Sequence, residues 1–246
     1  MKKAVNKLRW EQIADIWDKG IDEKGDIRHE LVINPIVFEF LGSLKGKTVL
    51  DAGCGNGYLS RKIAKTAKKV IAVDFTEGLI EHAKRRSRDF KNIEYRVENI
   101  ERLSFKNNIV DLTLCNMVLM DLERLDRAVG EIARVTKKNG LIVISTQHPC
   151  FENAHKAYPL KDQQGNEVGR VVTDYLSPGL VIDRYEGFPH YHWLISQYLN
   201  EFAKNRLFLE EVREPSNKEA LKEKMTELFR NHTPMFIIFK LRKLES

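Results

Sequence analysis

Val49-Leu50-Asp51-Ala52-Gly53-Cys54-Gly55-Asn56-Gly57 sets an apolar run that closes on an acid against three glycines spaced by single residues, and a helical pattern follows from Ser60. Glycine lets the backbone take positive φ and lets a ligand come close, and the start of the next helix offers unpaired N–H donors. The stretch reads as strand, tight turn and helix with a ligand lying across the turn. The spacing is Gly-x-Gly-x-Gly, and Tyr58 stands where the third glycine of the dinucleotide fingerprint would fall. Asp51 ends the strand two residues before Gly53, where it would set a carboxylate against a pyrophosphate; like charges there cost affinity. A ligand carrying an ammonium and a sulfonium gains from the same acid.

Strand and helix alternate outward from this turn. Continuous apolar runs such as Val70-Ile71-Ala72-Val73 and Leu141-Ile142-Val143-Ile144 suit strands buried on both faces of a parallel sheet. The pattern predicts strands at Lys47 to Asp51, Lys69 to Asp74, Ile93 to Val97, Ile109 to Cys115 and Leu141 to Thr146. Helices are predicted between them at Ser60 to Ala67, Gly78 to Ser87 and Leu122 to Thr136. Ahead of this core, Trp10, Ile13, Ala14 and Trp17 follow helical spacing up to Gly20, a charged loop comes next, and Pro35 to Leu44 gives a second short helix. Phe151 to His192 is richer in Gly, Pro, Tyr and His. It reads as an inserted hairpin or cap, with strand-like pieces at Val171 to Leu176 and Leu180 to Tyr185 either side of Ser177-Pro178-Gly179. A helix at Trp193 to Asn205, a strand at Leu207 to Val212, a helix at Lys218 to Arg230 and a strand at Met235 to Leu241 complete the chain.

At the end of the second strand, Asp74 can accept hydrogen bonds from both hydroxyls of a ribose, and Phe75 can lie against a base. The acid-plus-three-glycine turn, Asp74 after strand 2 and Asn116-Met117-Val118-Leu119 after strand 4 occur in one order, and in that order the chain resembles the class I S-adenosylmethionine-dependent methyltransferases from roughly Lys47 to Thr146. The resemblance implies an α/β, Rossmann-like doubly wound sheet of seven strands in the order 3-2-1-4-5-7-6, strand 7 antiparallel, with helices on both faces. It also implies S-adenosylmethionine across Asp51, Gly53, Cys54, Gly55, Gly57, Asn116 and Met117, with Asn99-Ile100 bordering the adenine and S-adenosylhomocysteine as product. Asn99 departs from the usual acid there, although its amide oxygen can still accept a hydrogen bond. One methyltransferase domain is expected: residues 1–46 an N-terminal helical cap, 47–146 the cofactor-binding core, 147–192 an inserted cap, 193–246 the rest of the sheet.

Thr146-Gln147-His148-Pro149-Cys150-Phe151 and Pro189-His190-Tyr191-His192-Trp193 bring three histidines and several aromatics to the end of the sheet where the methyl group would point. The pairing is similar to a subgroup that methylates small molecules. Methyl transfer is an in-line displacement, so the protein must align the nucleophile and exclude water. Neutral histidine suits removal of a proton from a phenol or amine, which nominates His148 and His192 as catalytic, with His190, Tyr191, Phe151 and Tyr58 toward substrate. Trp17 is placed over the crevice, and Arg28 is nominated for the cofactor carboxylate.

The reading that emerges is methylation of an O or N atom of a small molecule; an RNA methyltransferase or a non-catalytic binder of the cofactor are the alternatives. Pro149-Cys150 follows strand 5 rather than strand 4, which argues against thiolate attack on a pyrimidine. The net charge of +6 is scattered among nearly as many acids, and no RNA-binding module is evident. The three cysteines, Cys54, Cys115 and Cys150, form no Cys-x-x-Cys pair, so neither a disulfide framework nor a metal site is expected. No apolar run approaches membrane-spanning length, and the start of the chain lacks the apolar core of a signal peptide. A cytoplasmic monomer or homodimer is expected.

Overall fold

The computed structural model describes residues 4–151, 157–182, 189–215 and 233–245. Seven strands form the main sheet: β1 (Thr48–Ala52), β2 (Lys69–Asp74), β3 (Ile93–Val97), β4 (Val110–Asn116), β5 (Thr136–Gln147), β10 (Leu207–Arg213) and β11 (Phe236–Lys243). Their order is β10-β11-β5-β4-β1-β2-β3. β1 to β5 are parallel, and β11 runs antiparallel to both β5 and β10. The expected order and the antiparallel strand are both present.

Side chains alternate between two cores. Val49, Val70, Leu114 and Val143 face α2 (Asn34–Leu41) and α3 (Tyr58–Ala64), while Leu50, Ile71, Ile142 and Ile144 face α5 (Leu125–Val135) and α6 (Ile195–Lys204). Burial on both faces explains why the strands read as unbroken apolar runs. The parallel order reverses at β1 and β4, and a crevice opens there beyond the strands' carboxyl ends, as expected of an open α/β sheet.

The N-terminal helix α1 (Ala4–Gly20) is tied to α4 (Glu77–Arg86). Glu11 accepts from the Glu77 and Gly78 backbone N–H groups at 2.7 and 3.2 Å, capping α4 with an acid, and Asp18 pairs with Arg86 at 2.9 Å. Several boundaries differ from expectation; β5, for one, begins at Thr136 rather than Leu141. A π-helical turn (His29–Ile33) occupies part of the charged loop and runs into α2, and a 3₁₀ turn (Leu119–Asp121) precedes α5, which therefore starts at Leu125 rather than Leu122.

The cap pairs differently from the sequence reading. Ser177-Pro178-Gly179 does not turn one hairpin. β6 (Ala157–Lys161) pairs with β7 (Glu167–Val172), and β8 (Gly179–Ile182) pairs with β9 (Pro189–His192). The reason lies in Asp162, whose carboxylate accepts from the Gln164 and Asn166 N–H groups at 2.9 and 2.8 Å and closes the turn between β6 and β7. The helix expected at Lys218 to Arg230 lies outside the described residues. Among the described residues no helix is long and apolar enough to cross a membrane.

Candidate active site

The crevice at the end of β1 and β4 encloses about 690 Å³, counting space open to solvent, and its wall carries Asp51, Asp74 and Asp121 beside the glycine turn. Gly53, Gly55 and Gly57 all take positive φ, at 81, 54 and 76°. β2 shapes this turn. Val73 C=O accepts from the N–H groups of Gly53 and Cys54 at 2.8 and 2.9 Å, and Asp74 Oδ2 accepts from Gly55 N–H at 3.0 Å. Asp74 Oδ1 accepts from Thr76 N–H at 2.9 Å. Burial pushes the Asp74 carboxyl up, against these backbone hydrogen bonds, and each oxygen keeps a lone pair for a further donor.

Asp51 is 1% exposed and accepts from Ser60 Oγ at 2.5 Å. Burial raises its pKa to about 6, opposed by the Ser60 hydroxyl. Asp121, also buried, is pushed up by desolvation, and His190 Nδ1 lies 2.9 Å from its Oδ1. The three acids belong to three segments, Asp51 within β1, Asp74 at the end of β2 and Asp121 after β4, so only the fold brings them onto one wall.

The rest of the wall is largely aromatic and apolar. Trp17 lines it and meets Trp10 edge to face at 5.0 Å. Tyr58, Phe75, Asn116, Met117 and Cys54 line it too. Tyr58 donates to Asn34 Oδ1 at 3.2 Å, and burial pushes its phenol far up, so it holds its proton. Asn116 Oδ1 accepts from Ser145 Oγ at 2.7 Å. Met117 takes φ 58°, and its N–H is held by the Ser145 carbonyl at 3.0 Å; a non-glycine residue in this region beside a crevice is a strained position fixed by its neighbours.

Several nominated residues stand elsewhere. His148 is not on the crevice wall: Nδ1 accepts from Cys150 N–H at 3.2 Å, Nε2 faces Glu214 at 2.7 Å, and Phe151 packs on its ring at 4.8 Å. Nδ1 thereby holds the start of the cap, and Nε2 ties the end of β5 to the segment after β10. His192 Nε2 donates to the Tyr175 carbonyl at 2.7 Å, which leaves it a buried contact within the cap. Arg28 does not line the crevice; its neighbour His29 does. Asn99 and Tyr191 line a second cavity that shares Phe75 and Asp121 with the first, and Asn99 Oδ1 accepts from Glu101 N–H at 2.8 Å. Ile100 is a core side chain.

Sequence reasoning missed Asp121 and His29. Asp121 follows β4 by five residues and had a readable signal, an acid at the carboxyl end of a central strand. His29 had only its i, i+3 spacing from Asp26.

The wall suits S-adenosylmethionine and not a dinucleotide: three buried acids and, among the described lining residues, no lysine or arginine. The comparisons agree. The family described as a methyltransferase domain matches residues 43–185. Over 113 residues the chain is 35% identical to a malonyl-[acyl-carrier protein] O-methyltransferase of Buchnera aphidicola, covering 45% of this chain and 44% of that protein. Over 155 residues it is 30% identical to a ubiquinone biosynthesis O-methyltransferase of Coxiella burnetii, covering 61% and 66%. The chain thus spans about half to two thirds of the curated relatives it matches. A solved structure from Listeria monocytogenes, described as a provisional S-adenosylmethionine-dependent methyltransferase, superposes with a TM-score of 0.72 at 25% identity over 84% of this chain and 95% of that one.

Proposed function

Because the chain belongs to the methyltransferase domain family, as a class I member that uses S-adenosylmethionine, we propose that it transfers the cofactor's methyl group to an O or N atom of a small molecule. The observation that carries this reading is the acidic wall: Asp51, Asp74 and Asp121 line one crevice without a lysine or arginine among its described lining residues. A sulfonium with an ammonium gains from that field, and a pyrophosphate loses. When bound, the cofactor supplies an electrophilic methyl on a cationic sulfur.

The chain's own residues then have separate tasks. Asp74, which holds the Gly55 N–H, would accept from the ribose hydroxyls, and Phe75, on the wall shared with the cavity that Asn99 lines, would hold the base. Asp51 would hold the ammonium. Cys54, Gly53 and Asn116 supply the floor, and Trp10 and Trp17 exclude water from it. For an acceptor that must lose a proton, we assign Asp121: burial raises its basicity, and His190 Nδ1 at 2.9 Å can share the proton. That replaces the expectation that His148 or His192 acts directly.

Small-molecule acceptors are supported by the ubiquinone biosynthesis O-methyltransferase and the demethylmenaquinone methyltransferase the chain is similar to. The test is S-adenosylhomocysteine release across a panel of phenols, amines, carboxylates and transcribed RNA. Turnover on a small molecule with none on RNA is expected. Turnover on RNA alone would overturn the acceptor class, and cofactor binding without any turnover would favour a non-catalytic role.

A further inference from the structure

His29 is the one described residue on the crevice wall, among three acids, whose side chain can become a cation. The ring is buried, and its orientation is set by one neighbour: Asp26 Oδ1 lies 2.9 Å from Nδ1 and also accepts the His29 backbone N–H at 2.8 Å. Asp26 on Nδ1 leaves Nε2 for another partner. Among the described residues Nε2 has none. The pairing is felt at Asp26 as well: burial pushes its carboxyl up, but the His29 hydrogen bond and charge more than offset this and hold it below its ordinary value.

The position of the ring matters as much as its charge. Asp74 and Phe75 stand together after β2, whereas His29 packs edge to face on Tyr58 at 5.7 Å. Tyr58 is near enough to both Asp51 and Asp26 for their charges to act on its phenol. Asp51 and His29 therefore both lie beside Tyr58 on the crevice wall, an acid and an imidazole near one another. An α-amino acid presents the complementary pair, an ammonium and a carboxylate.

We propose that His29 binds the α-carboxylate of the cofactor's amino-acid end, with Asp51 taking the ammonium and Asp26 acting as the positioning residue for the ring. This rests on the reading of the crevice as an S-adenosylmethionine site. It assigns to His29 the task expected of Arg28. The groups facing the ring are Asp26 on its own segment, Tyr58 on α3 and, past Tyr58, Asp51 on β1; Asn34 on α2 is uncharged, and the sequence neighbours are Arg28 and Glu30, the latter paired with Lys24 at 3.0 Å.

The experiment is calorimetric titration of the full chain, its His29→Gln and His29→Ala variants, and Asp26→Asn, with S-adenosylhomocysteine and with 5′-methylthioadenosine, which keeps the nucleoside and sulfur but lacks the amino acid. His29→Gln is expected to weaken S-adenosylhomocysteine about ten- to a hundredfold, as loss of a charge-assisted contact does. Binding of 5′-methylthioadenosine should change by less than about twofold, which also reports that the variant is folded. Asp26→Asn should move in the same direction by less. Equal weakening of both ligands, or no weakening of either, would overturn the assignment. Failure of the wild-type chain to bind either ligand would overturn the cofactor reading and this assignment with it.

Discussion

The Asp74 carboxylate accepts a hydrogen bond from Gly55 N–H at 3.0 Å, so the acid that ends β2 holds the middle of the glycine turn that follows β1. One residue thus shapes the loop and faces the ligand. Asp74→Ala is expected to weaken S-adenosylhomocysteine binding by about 2–4 kcal/mol, since two ribose hydroxyls lose a charged acceptor and the turn loses an anchor. Asp74→Asn, which keeps an oxygen toward Gly55, should cost less. Calorimetric dissociation constants check both; unchanged values would remove Asp74 from the site.

Gly55 and Gly57 separate ligand binding from folding. A Cβ on Gly57 would come within 2.4 Å of the Tyr95 hydroxyl, while one on Gly55 meets nothing closer than Trp17 Nε1 at 3.9 Å. Both positions take positive φ, so alanine is strained at each, by about 1–3 kcal/mol. Gly57→Ala should lower the urea midpoint more than Gly55→Ala, and Gly55→Ala should weaken cofactor binding more than its loss of stability accounts for. The reverse ranking in paired denaturation and binding curves would contradict this geometry.

Asp51 makes the free protein sensitive to alkali. Its folded pKa, about 6, lies above the ordinary 3.8, so the folded state holds the proton more tightly than the unfolded chain. The associated stability is fully present below about pH 4 and is lost as pH rises through about 6, a swing on the order of 3 kcal/mol. Asp51→Asn should therefore stabilise the ligand-free chain at pH 8 while weakening the cofactor. Chemical denaturation at pH 5 and pH 8 measures the difference, and a variant with the wild-type pH dependence would sink the prediction.

His148 has the opposite sign. Burial lowers its pKa below 6.5, and Glu214 opposes that shift only in part, so its contribution is present above about 6.5 and lost as pH falls through the folded value. His148→Ala is expected to destabilise the fold by about 1–3 kcal/mol and to leave the affinity for S-adenosylhomocysteine unchanged. A variant with wild-type stability but slowed turnover would return His148 to the chemistry.

Much of the fold was legible because burial on both faces of β1, β2 and β5 leaves continuous apolar runs, and because the Asp51 to Gly57 turn admits few readings. The sheet order came from the resemblance those residues carry. The cap was misread because alternation around Ser177-Pro178-Gly179 says nothing of which strands pair, while the deciding contact, Asp162 on the 164–166 backbone, looks like any polar turn in sequence. His148 and His192 were placed at the correct end of the sheet, but their orientation depends on Glu214 and on Tyr175, 66 and 17 residues away. His29 and Asp121 were overlooked for the same reason: a π-helical turn aims one, and a cap histidine holds the other.

Calorimetric titration of the purified chain with S-adenosylhomocysteine and, separately, with NADH tests the central claim that an acidic wall beside the glycine turn selects a cationic sulfur nucleoside. The account predicts one-to-one binding of S-adenosylhomocysteine, weakened in Asp74→Ala, and no heat with NADH. Saturable binding of NADH that survives while S-adenosylhomocysteine fails to bind would contradict it.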